Sequence, residues 1–180
     1  MSDLVRAFVA VRVPGNIADT LENFLAEIRP LAPIRWVRRE QFHITLKFLG
    51  ELRPHVIAQV IEALEHIKYF HPFNITLDHI GAFPNLNSPR VLWLSGQRGS
   101  SELGRVAREV DETLCDETGL ERDSRKFKAH LTLARLKEAR LPEDLVRKLG
   151  DVPSLAWECG ELVLMKSLLT PKGPIYSQLL

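Results

Sequence analysis

No run of this chain reaches the roughly 18 consecutive apolar residues that a transmembrane helix needs, so a spanning helix is not expected. Cysteine is scarce: only Cys115 and Cys159 occur, far apart and outside any C-x-x-C spacing. Neither a disulfide framework nor a paired-thiol metal site can be built from them, and a reduced, cytoplasmic setting is expected. An excess of one charge is missing too. Lys and Arg number 24 against 23 Asp and Glu, which leaves no global field to steer a polyanion, so an anionic ligand must be held by a local group of cations. The opening residues, Met1 to Arg6, lack the basic start, apolar stretch and cleavage site of a secretory signal. There is no G-x-x-x-x-G-K-[ST] loop and no G-x-G-x-x-G turn, which removes two common phosphate cradles.

What is present is an ordinary globular chain of 180 residues, 45% hydrophobic and 26% charged, long enough to bury a substantial core. Its elements come in a repeated order. The β-forming segment Arg6 to Val13 is followed by apolar Ile17, Leu21, Phe24, Leu25 and Ile28 at helical spacing. Then come an apolar run around His43–Leu46, a second helical pattern from about Val56 to Ile67, and a strand at Phe73–Leu77. The second half repeats the order: a strand at Arg90–Leu94, a helix from near Ser101 as N-cap to about Glu117, and the run His130–Leu133. A short helix after Pro142, a strand through Leu162–Met165, a turn at Pro171–Pro174 and a strand at Ile175–Tyr176 close the chain.

This pattern predicts one α+β domain over residues 1–180, with pseudo-repeated halves of about 1–84 and 85–180. Two lobes of antiparallel sheet would line a central cleft with helices outside, and strands of the two halves could mix. Gly81–Pro89 reads as the loop between the halves. No spare amphipathic helix stands out, which favours a monomer.

The chemistry lies in a recurrence. Each half holds one His-x-Thr in an apolar run: His43-Ile44-Thr45 and His130-Leu131-Thr132. On a strand, residues i and i+2 share a face, so each motif offers an imidazole and a hydroxyl together. An isolated His-x-Thr is most simply a half-buried histidine satisfied by its neighbour; the matched recurrence argues for a pair. Two imidazoles can divide a proton-acceptor and a proton-donor role near neutrality, and hydroxyls can hold phosphate oxygens as charge develops. The spacing offers no metal ligand set. His55, His66, His71 and His79 read as surface or loop residues. Strict alternation puts Lys47 on the face of His43 and Thr45, and Arg135 opposite His130 unless the strand bulges after Leu133. Phe8, Phe48, Trp36 and Trp93 are the candidate base-stacking aromatics, with core packing the commoner fate of such residues.

Beyond these motifs, the chain resembles the RNA 2′,3′-cyclic phosphodiesterase (2′–5′ RNA ligase) branch of the 2H phosphoesterase superfamily. The similarity is carried by Arg35–Val37, His43–Gly50, Gly81–Pro84, Pro89–Leu94, Lys126-Phe127, His130–Arg135 and Leu169–Tyr176. It implies hydrolysis of a 2′,3′-cyclic phosphate on RNA or a small nucleotide to a 2′-phosphomonoester, with no metal or cofactor. It further implies His43 as proton donor, His130 as proton acceptor, and Thr45, Thr132 and Arg135 on the phosphate. Lys47, Phe8 and Phe48 remain candidate substrate contacts. Ala129 departs from the proline usual in that family before the second histidine. A nucleotide- or RNA-end-binding module with little turnover is the competing class.

Overall fold

The fold comes from a computed structural model that describes residues 4–137 and 140–180. The first half contributes β1 (Val5–Arg12), α1 (Gly15–Ile28), the short β2 (Arg35–Trp36), β3 (His43–Leu52), α2 (Pro54–Glu65), β4 (Tyr69–Leu77) and β5 (His79–Phe83). The second contributes β6 (Val91–Ser95), α3 (Ser100–Thr118), β7 (Leu131–Arg135), α4 (Glu143–Leu149), β8 (Leu155–Glu161), β9 (Val163–Thr170) and β10 (Gly173–Gln178).

Seven strands run in the order β10-β9-β1-β3-β7-β6-β5, with β2 attached to β7, while β4 and β8 form a separate antiparallel ribbon. The long sheet is two lobes joined narrowly, because β3 and β7 share the single pair Ile44 and Leu131. Strands do mix. β9, from the second half, flanks β1 in the lobe of β3 and is itself edged by β10; β5, from the first half, flanks β6 in the lobe of β7.

Alternation along β1 explains the layering. Ala7, Val9 and Val11 enter the main core with Leu21 and Leu25 of α1, Val60 and Leu64 of α2, and Val110 and Leu114 of α3. Phe8 and Ala10 point to the opposite face, against Val163, Met165 and Tyr176. Each large apolar side chain buried under the helices is worth about 1.5–3 kcal/mol relative to exposure, so one sheet face is sealed and the other is left to form a cleft.

Two local expectations are corrected. The N-cap of α3 is Gly99, not Ser101: Gly99 has φ of 81° and a Cβ there would sit 2.7 Å from the Asn74 carbonyl oxygen. Positive φ and close backbone approach together favour glycine at that position. The supposed loop from Gly81 begins as strand, since Gly81–Phe83 belong to β5 and pair with Val91–Trp93. Gly81 is required there by packing, because a Cβ would lie 2.2 Å from the Trp93 indole.

Candidate active site

The two His-x-Thr motifs face each other where the lobes join. Ile44 pairs with Leu131 across the junction and both side chains are fully buried. The flanking His43, Thr45, His130 and Thr132 therefore emerge on the other face, partly exposed. His43 opens β3, whereas His130 stands just before β7.

Each imidazole is fixed the same way. His43 Nδ1–H donates to the Gln41 carbonyl at 2.6 Å, and His130 Nδ1–H donates to the Lys128 carbonyl at 2.7 Å. A carbonyl can only accept, so in both rings the neutral imidazole carries its proton on Nδ1 and presents a lone pair on Nε2. The Thr45 hydroxyl donates to His43 Nε2 at 3.0 Å. No such partner occupies His130 Nε2 among the described residues.

Both histidines are pushed below their ordinary value of 6.5, chiefly by burial. The carbonyl bonds oppose this by stabilising the charged form. Neighbouring cations push the same way as burial: His130 and Arg135 act on His43, and Lys128 and Arg135 act on His130. Among the described residues no carboxylate contributes to either. The site is thus positive in character, suited to an anion.

Bulges decide which cations reach it. In β7 the register with β6 slips between Leu92 and Trp93, so that Leu92 faces Ala134 while Trp93 faces Thr132. Leu133 is the extra residue. Leu133 and Ala134 both turn into the core, and Arg135 returns to the face of Thr132. The strand does bulge, and Arg135 is exposed and near enough to act on His43, His130 and Tyr176.

The same device corrects the reading of Lys47. Register with β1 slips between Val9 and Ala10, where Val9 faces Lys47 and Ala10 faces Thr45. Leu46 is the extra residue, and both Leu46 and Lys47 turn inward. Lys47 is 3% exposed. Its ammonium donates to Asp111 Oδ1 at 2.5 Å and to the Glu121 carbonyl at 3.0 Å, so it is a buried ion pair and not a substrate contact.

Phe48 then occupies the place in the first motif that Arg135 holds in the second. It is 62% exposed. Phe8 is buried, with its ring 4.7 Å from that of His43 and 6.2 Å from that of Phe48. Of the other aromatic candidates, Trp36 is half-buried and bonded to the Ala32 carbonyl, and Trp93 is buried. Beside His43 lies a cavity of about 230 Å³ lined by Phe8, Arg12, Gln41, Met165, Tyr176 and Gln178 among others. A larger one of about 350 Å³ near α1 holds no imidazole, and its arginines are engaged by acids: Arg29 by Glu22, Arg38 by Glu40 and Arg39 by Asp19.

Sequence reasoning missed three neighbours of the pair. Tyr176 lies edge-on to His43 at 5.4 Å, Phe83 lies edge-on to His130 at 5.1 Å, and Lys128 tethers His130. Phe83 and Tyr176 lie inside the stretches that carry the family resemblance, which was the available signal. His55, His66, His71 and His79 are exposed, away from the pair's tethers. Among the described residues no cluster of three metal-ligating side chains occurs, and no helix is long and apolar enough to cross a membrane.

A two-lobed sheet carrying paired His-x-Thr strands defines a phosphoesterase of the two-histidine class. A family model described as LigT like phosphoesterase matches residues 11–93 and again residues 97–176, and the chain belongs to this family. It is 41% identical over 177 residues to an RNA 2′,3′-cyclic phosphodiesterase of Archaeoglobus fulgidus, covering 97% of this chain and 98% of that one. An RNA 2′,3′-cyclic phosphodiesterase of Aquifex aeolicus is 32% identical, with 97% and 94% covered. Among solved structures, the protein TT0787 of Thermus thermophilus aligns with a TM-score of 0.79 at 28% identity, covering 97% of this chain and 95% of that one. E. coli LigT in its apo form shares the fold, with a TM-score of 0.79 at 23% identity over 99% and 96% of the two chains.

Proposed function

We propose that the chain hydrolyses 2′,3′-cyclic phosphates on RNA ends or small nucleotides to 2′-phosphomonoesters, with no metal taking part. The observation that carries this reading is the matched pair of imidazoles, each tied at Nδ1 to the carbonyl two residues earlier and each presenting Nε2 to a cleft. The names of the relatives at 41% and 32% identity support the substrate class.

In this mechanism the cyclic phosphate sits between the motifs. His130 Nε2 takes a proton from water as its oxygen bonds to phosphorus. The bond from phosphorus to the 3′-oxygen breaks, and protonated His43 gives its Nε2 proton to that oxygen. The product keeps the phosphate on the 2′-oxygen. Substrate displaces the Thr45 hydroxyl from His43 Nε2, freeing Thr45 to join Thr132 and Arg135 on the non-bridging oxygens. Phe48, with Phe8 behind it, offers the exposed ring on which a base can stack. An RNA 5′-hydroxyl in the place of water would join two ends through a 2′–5′ bond by the same steps.

Turnover of a 2′,3′-cyclic nucleotide by EDTA-treated protein tests the reading. His43→Ala and His130→Ala are each expected to lower kcat by about 10²–10⁴-fold; near-normal turnover in both would overturn it. Tight binding of a 2′-phosphorylated nucleotide with no product from the cyclic one would mean a binding module instead.

A further inference from the structure

The two motifs are nearly symmetric, differing in the Thr45 hydroxyl that meets His43 Nε2. The residues two positions earlier break that symmetry. Before His43 stands Gln41, neutral and buried, its side chain committed on both sides: Nε2 donates to the Pro174 carbonyl and Oε1 accepts from the Arg38 N–H. Before His130 stands Lys128. Its carbonyl takes the same role as that of Gln41, but its ammonium lies over two rings, 4.3 Å from the Trp93 centroid and 5.3 Å from that of Phe83. Phe83 in turn meets His130 edge-on. Trp93 is itself immobilised against Gly81, where no Cβ could fit. A cation seated on so fixed a shelf is held near the imidazole and not left to wander as a free surface lysine would.

Resting on the phosphoesterase reading above, we propose that Lys128 is the positioning residue that selects His130 over His43 as proton acceptor. Its carbonyl orients the ring, and its ammonium disfavours a second positive charge on the imidazole beside it.

The other groups around His130 leave this role to Lys128. From β3 the facing groups are His43 and the Thr45 hydroxyl. From β7 they are Thr132 and Arg135. From β5 and β6 the neighbours are the uncharged Phe83 and Trp93. Arg135 lowers both histidines without distinguishing them, His130 in turn lowers His43, and Lys128 lowers His130 alone. Being exposed, the Lys128 charge is open to salt screening.

The test is an NMR titration of both imidazoles in wild type, Lys128→Met and Lys128→Arg, at low and at high salt, with pH–rate profiles alongside. Lys128→Met is expected to raise the His130 midpoint at low salt, to leave the His43 midpoint no higher than in wild type, and to lose the difference at high salt. Lys128→Arg is expected to restore it. The acid limb of kcat/KM moves with the His130 midpoint; a rise of half a unit means about a threefold smaller deprotonated fraction on that limb. An unmoved His130 midpoint in Lys128→Met, or an equal rise in both histidines, would overturn the assignment. Because the titration needs no turnover, it stays decisive even if the cyclic phosphodiesterase reading fails on its own test.

Discussion

Among the described residues, His43 and His130 have no carboxylate partner. In many acid–base pairs a carboxylate raises a histidine; here carbonyls orient the rings while burial and cations lower them. The direction has a kinetic consequence. In the proposed mechanism His130, as proton acceptor, works deprotonated, so lowering it extends its working range to more acid pH. A donor works protonated, so lowering His43 ends its working range sooner as pH rises. Both limbs of the free-enzyme profile therefore move to acid, and kcat/KM is expected to peak below pH 6.5, the ordinary histidine value. Bound phosphate raises both groups, so kcat should peak at higher pH. A kcat/KM optimum well above 6.5 would show that free-enzyme protonation follows other groups. In the proposed mechanism Arg135 gives the anion charged hydrogen bonds of about 1.5–3 kcal/mol, so Arg135→Ala should lower kcat/KM roughly ten- to hundredfold, as steady-state kinetics on a cyclic nucleotide would report.

At the scale of the element, two bulges do what pattern reading could not foresee. Alternation holds as far as Thr45 and Thr132, and fails one residue beyond Leu46. The extra residues Leu46 and Leu133 are apolar like their neighbours, so hydrophobicity gave no sign that two successive side chains would turn inward. The helices were legible from their periodicity, and α1 and α2 fall within a few residues of the expected spans. β5 and β8 were not: β5 hid behind glycine and proline, and β8 lies beyond the short helix α4 and holds no β-branched residue. Buried Lys47 is the cost of the first bulge, and its ion pair ties β3 to α3 and to the segment that leads toward His130. Asp111→Ala leaves that ammonium without its main partner and is expected to cost about 3–5 kcal/mol in urea unfolding. Lys47→Met should cost less and leave KM unchanged. A raised KM in Lys47→Met with unchanged stability would return Lys47 to the substrate.

For the whole molecule, the narrow junction at Ile44 and Leu131 puts the two histidines proposed as catalytic where two lobes meet, each completed by strands from the other half. We infer that the halves function as one unit, since neither retains its full sheet without the other. Burying two histidines in lowered form also links stability to pH. The unfolded chain protonates near 6.5 while the folded chain resists until lower pH. Their contribution is fully present above 6.5 and is lost as pH falls through the folded values. The melting temperature should therefore drop on acidification below 6.5, and inorganic phosphate should offset the drop by binding the protonated site; His43→Ala and His130→Ala should each flatten it.

We propose that one cyclic phosphodiester hydrolysis is divided between two imidazoles. The most direct test is product identification by NMR after EDTA-treated protein acts on a 2′,3′-cyclic nucleotide. Wild type is expected to give the 2′-phosphomonoester alone, and His43→Ala and His130→Ala almost none. Formation of the 3′-isomer, turnover that appears only on adding metal, or full activity in either histidine variant would contradict it.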